Sequence, residues 1–176
     1  MLVGAIFIMI LVPSLYSYLF YRKEKKEGNA TLAGLYIGKA GKLSGVFLVV
    51  LLAFVAVMMF TGDIEFTCEK EALVIEADYW GDMTVAYDSI KSVEYLENDV
   101  IGSRTSGYGS ARLLMGTFRN EEYGYYTRYS YTKCDSGIAI DMGKSMLIIS
   151  GKDVDNTEKL YQEIRDRVNE IGDVVN

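Results

Sequence analysis

At 176 residues and a formal charge of −6, the chain sets 18 lysines and arginines against 24 aspartates and glutamates, with no histidine. The missing imidazole argues against histidine-ligated zinc hydrolases and Ser-His or Cys-His catalysis. Acidic character repels nucleic-acid phosphates and anionic lipid, so DNA, RNA and acidic headgroups are poor partner candidates.

Two uncharged apolar runs, 2–21 and 43–60, open the chain. A helix crossing the ~30 Å hydrocarbon core needs about 20 residues, so both read as transmembrane helices and residues 1–60 as a membrane anchor. Pro13 kinks the first, and Tyr16, Tyr18 and Tyr21 gather at its end as interfacial aromatics would. That run lacks the basic flank of a signal peptide and reads as a retained span. Residues 22–42 form a basic loop with Arg22, Lys23, Lys25, Lys26, Lys39 and Lys42 against Glu24 and Glu27 alone. The first 60 residues therefore stand at +4, which leaves −10 for the rest. Positive charge stays on the cytoplasmic side, so the loop is expected in the cytoplasm and the domain 61–176 outside. Gly28–Gly45 reads as a flexible hairpin whose glycines match no phosphate-loop spacing.

From Ile64 the apolar period becomes two, as half-buried antiparallel strands require. Leu73 and Ile75, then Met83, Val85 and Tyr87, then Val93 and Tyr95 mark successive strands. Leu113–Phe118, a tyrosine ladder at 123, 125, 129 and 131, Ile138–Met142 and Met146–Ile149 complete about seven. The ladder places Tyr126 on the opposite, wetter face with Gly124, Arg128 and Ser130. Gly143-Lys144 is a two-residue hairpin turn. Residues 155–171 then take helical spacing, with Asp155 as N-cap, Glu158 three residues on, and Leu160, Ile164, Val168 and Ile171 as the apolar stripe.

The order of these segments carries a resemblance. Tyr87-Asp88-Ser89-Ile90-Lys91-Ser92-Val93 resembles the Y-x-x-I-x-x-V strand pair of bacterial pleckstrin-homology-like (PH-like) domains. The Gly/Arg-rich stretch Gly102–Gly109, Met115-Gly116-Thr117-Phe118, the Tyr-rich strand, and Ser145–Ser150 leading into a helix at Leu160-Tyr161 follow in family order. The resemblance covers about Ile64–Ile171. It implies a mainly-β fold of two antiparallel sheets capped by the C-terminal helix, and no catalysis. Relatives that bind phosphoinositides use a basic loop between the first two strands. Here that loop is Glu69-Lys70-Glu71, so phosphoinositide binding is not expected.

The candidate ligand contact is the stretch Ile101–Arg112, read as a flexible loop, with Arg104, Tyr108 and Arg112 as binding residues. Guanidinium forks suit carboxylate or phosphate partners. Cys68 and Cys134 are a possible disulfide, with two unpaired thiols as the alternative. Asp153, Asp155 and Asn156 lack the glycine and terminal glutamate of a calcium loop, so they read as helix capping and no metal is expected. No cofactor is implied. These readings describe a two-pass protein of the bacterial cell membrane, held in the bilayer by its spans. Its PH-like domain would be a non-catalytic binding or scaffolding module for a protein or cell-envelope partner. The alternative is an accessory subunit of a membrane complex or transporter, assembled through spans whose Ser44, Gly45, Ala53 and Ala56 permit close helix approach.

Overall fold

A computed structural model describes Leu19, Arg22 and residues 32–175, with side chains placed at Leu19, Arg22 and 45–171. The first apolar run, 2–21, and the basic residues 23–31 otherwise lie outside the described residues. The chain divides into two compact units, Met1–Val57 and Met58–Asn176.

Helix α1 runs from Leu32 to Phe60. The second half of the expected loop, with Gly34, Gly38 and Gly41, is therefore helical. Each glycine costs about 1 kcal/mol against alanine, a penalty that propagation from the adjoining apolar segment can absorb. Among the described residues no helix is long and apolar enough to cross a membrane. Val46, Phe47, Val49, Val50, Phe54, Val57 and Phe60 are each more than half exposed.

The second unit holds nine strands: β1 (Ile64–Cys68), β2 (Ala72–Ala77), β3 (Met83–Ala86), β4 (Ser92–Leu96), β5 (Ser103–Gly109), β6 (Leu113–Asn120), β7 (Gly124–Tyr131), β8 (Gly137–Asp141) and β9 (Met146–Ile149). A 3-10 turn, Tyr87–Ser89, follows β3, and helix α2 spans Val154–Val175. The first three strands make an antiparallel sheet, and the rest a six-stranded sheet in the order β4-β8-β9-β7-β6-β5. Its β7–β9 pair alone is parallel, in place of the uniformly antiparallel expectation. The count exceeds seven because β5 is new and because β1, implied ahead of the Glu69-Lys70-Glu71 loop, adds to the strands marked by period.

Strand β5 corrects the flexible-loop reading of Ile101–Arg112. Its side chains are exposed over Ser103–Gly107, as at an open edge, so no apolar alternation announces it. Gly107 and Gly116 face each other across the β5–β6 pair, both at positive φ (130° and 126°). A Cβ on Gly107 would lie 2.1 Å from the Met115 carbonyl oxygen, so the strands approach to a distance that glycine alone allows.

One core joins both sheets to α2. Leu73, Ile75, Leu113, Met115, Ile138, Ile140, Leu147 and Ile149 meet Ile164 there, all fully buried. The α2 cap is Asp153 rather than Asp155. Its Oδ1 accepts the Asn156 amide at 2.8 Å, and its carbonyl accepts that of Thr157 at 3.0 Å.

A second, smaller core of Phe118, Tyr126 and Ile148 lies apart from the first. Tyr126, Arg128 and Ser130, expected on a wetter face, are instead at most 2% exposed. The cause is the β4–β5 connection, residues 97–102, which must pass from one edge of the sheet to the other. The chain bends at Glu97 and Asn98 as it leaves β4 and then crosses the sheet as a strap. Asp99 lies over Gly137 and binds the Arg128 guanidinium. Gly102 N–H then donates to the Tyr126 hydroxyl at 2.9 Å.

Candidate functional site

The three residues singled out from the sequence do not converge. Arg104 lies along β5, its guanidinium filling the space a side chain at Gly109 would need. Tyr108 is half-buried and structural. Its ring packs on Tyr79 with centroids 5.3 Å apart, and its hydroxyl donates to the Met58 carbonyl. Arg112 sits in the β5–β6 turn, where Ser110 Oγ accepts its backbone N–H at 3.1 Å and its carbonyl accepts the Thr132 amide at 2.9 Å.

Arg112 alone faces a cleft. About 430 Å³ in volume, it is lined by Phe60, Ala111, Arg112, Tyr131, Lys133 and Lys152. Asp63, in the connection after α1, organises one wall. Its Oδ2 accepts Lys152 Nζ at 2.9 Å, and Arg112 Nη2 stands 3.7 Å from Oδ1. Oδ1 also accepts the Tyr131 hydroxyl, which in turn accepts the Ile64 amide at 2.9 Å. Lys152 Nζ lies 5.9 Å from the centre of the Tyr131 ring.

Burial pushes the Asp63 carboxyl up, but the hydrogen bonds from Tyr131 and Lys152 and the Lys152 charge outweigh it and leave the group below the usual carboxylate range. Burial and the bond to Asp63 both push the Tyr131 phenol up. At neutral pH the wall therefore presents a charged carboxylate held by a neutral hydroxyl and two cations.

On the other side of Asp63 a shallower groove of about 230 Å³ gathers Glu65, Glu76, Asp78 and Asp82. Glu65 stands directly opposite Glu76 in the β1–β2 pair, an arrangement that costs stability and persists here on an exposed face. Among the described residues no three acids or thiols converge in a way that could hold a metal ion.

Cys68 and Cys134 are free thiols, so the possible disulfide is not made. Cys134 is buried with Sγ 3.2 Å from Thr157 Oγ1 and 3.3 Å from Ser136 Oγ. Cys68 is half-buried beside Tyr87, and burial pushes its thiol up. The Glu69-Lys70-Glu71 connection between β1 and β2 is exposed and acidic, as read from the sequence.

Lys133, Lys152, Tyr131 and Asp63 escaped the sequence reading because their separations, 63 to 131 to 152, follow no local period. The one usable signal was register. Leu113 pairs with Tyr131 across β6 and β7, which sets Arg112 beside Thr132 and Lys133.

The family model described as "Bacterial PH domain" matches residues 64–167. No curated protein and no solved structure matches the chain.

Proposed function

The chain belongs to the bacterial PH domain family, and from that premise we propose that it is a membrane-anchored binding module whose domain displays a recognition surface to a protein or envelope partner. The family is one of binding modules rather than enzymes. The observation that carries the anchoring is the exposed apolar surface of α1. Val46, Val49, Val50 and Phe54 share one face, while Phe47 on one flank and Leu52 and Met59 on the other are also exposed, and an apolar surface that wide requires lipid or an apolar partner around it. The uncharged run 2–21 and the basic residues between the runs support a two-pass arrangement with a cytoplasmic loop and the domain outside.

The same α1 surface also suits packing against another membrane subunit, with Gly45, Ala53 and Ala56 as close-approach positions. Exchanging the runs for an unrelated apolar pair would abolish function under that second reading and spare it under the first.

Anchoring and orientation are tested together with the full chain carrying Val100→Cys, a position 80% exposed. The expected result is resistance to alkaline carbonate extraction, with labelling by a membrane-impermeant maleimide in intact cells. Release into the alkaline supernatant would overturn the anchor. Labelling confined to lysed cells would place the domain in the cytoplasm.

A further inference from the structure

The domain after residue 60 carries −10, yet three of its cations line one cleft together with Tyr131. An anion from the protein already stands against that group, since the Asp63 carboxylate takes Lys152, Arg112 and Tyr131 together. Lys133 has no ion-pair partner among the described residues. We propose that the Arg112–Lys133–Lys152 cleft binds a phosphate group, and that Asp63 is the internal anion which a bound phosphate displaces or joins.

Charge favours phosphate over carboxylate, and the shape of the cleft suits an anion that carries a substituent. An arginine fork and two lysine point charges supply more positive charge than a single carboxylate needs, and match the several oxygens of a phosphate. The volume of about 430 Å³ leaves room for a substituent on the phosphate. Phe60 and Ala111 give that substituent an apolar wall. The acidic groove beyond Asp63 repels anions, so the ligand enters from the Lys133 side.

The phosphate has two possible sources, a phospholipid headgroup or a soluble phosphate compound. The headgroup source rests on the proposed anchoring, because Phe60 ends the apolar run; the phosphate chemistry does not.

The test uses the full chain in uncharged detergent, with retained ligand counted by native mass spectrometry. The probes are inorganic phosphate, phosphatidylglycerol and phosphatidylcholine. The wild type is expected to bind phosphate or phosphatidylglycerol in preference to phosphatidylcholine. Arg112→Gln with Lys133→Gln should weaken that binding about tenfold or more. Both positions are solvent-facing, and unchanged circular dichroism will confirm folding. Asp63→Asn should strengthen binding by freeing both cations. Tighter binding of phosphatidylglycerol than of inorganic phosphate assigns the headgroup, and equal affinity assigns a soluble phosphate; either supports the site. Binding that is indifferent to the double substitution, or an absence of binding even in Asp63→Asn, overturns it. A chain that alkali extracts from membranes but that still binds phosphate would sink the anchor and keep the site. The reverse pair of results would do the opposite.

Discussion

Asp63 is placed between opposite fields, cations on one side and carboxylates on the other. Its depressed pKa gives the pH dependence a sign. A carboxyl lowered on folding stabilises the protein above its unfolded value, about 3.9, and that contribution is lost as pH falls through the folded value. The melting temperature is therefore expected to drop on acidification below about pH 4, with a shallower drop in Asp63→Asn. Parallel melting profiles of the two proteins would remove Asp63 from the account. Glycine matters at one paired position for a different reason. Gly107→Ala meets a backbone oxygen at 2.1 Å and an unfavourable φ, a strain of about 1–3 kcal/mol that urea unfolding can measure.

At the scale of elements, the strap over the six-stranded sheet makes the sharpest predictions. Arg128 and Asp99 are 1% and 2% exposed as side chains, and Arg128 Nε also donates to Ser130 Oγ at 2.7 Å. Removing one partner of such a pair leaves a buried charge without its counterion. Asp99→Ala should cost about 3–5 kcal/mol, while replacing both partners by apolar residues should recover much of that loss. Denaturant unfolding of the single and double variants decides it. The spacing of the strap's contacts gives an independent check. Val100→Ala should stay within about 0.5 kcal/mol of wild type, yet deleting Val100 puts the Asp99–Arg128 and Gly102–Tyr126 contacts out of step and should loosen an edge strand, read as lost amide protection in β4 or β5. Equal protection in both variants would show that the strap has slack.

At the scale of the whole molecule, what could be read in advance followed from where water lies. Strand β2 and the α2 stripe each bury one face, so Leu73 and Ile75, or Leu160, Ile164 and Val168, announced themselves by period. Strand β7 did not, because the strap covers its second face and Tyr126, Arg128 and Ser130 lost the exposure that alternation implies. Strand β5 was hidden by the opposite condition, since an exposed edge strand need not carry apolar residues. The cleft was invisible for want of any local rule linking Asp63, Arg112, Lys133 and Lys152; tertiary register alone assembles it. Thiol chemistry also follows from the complete fold. Cys134 is enclosed and the raised pKa of Cys68 keeps it protonated near neutrality, so both should react slowly with maleimide until the protein unfolds.

The strap has a topological consequence. Strands β4 and β5 are neighbours in sequence and opposite margins in space, so residues 97–102 act as a belt that closes an open sheet covalently. Val100, 80% exposed at the middle of that belt, is a natural point of attack for a protease. A single nick there severs no ladder, because β4 remains paired to β8 and β5 to β6. The two fragments should stay associated with the buckle still seated on Arg128, and then peel from the margins inward once Asp99 lets go.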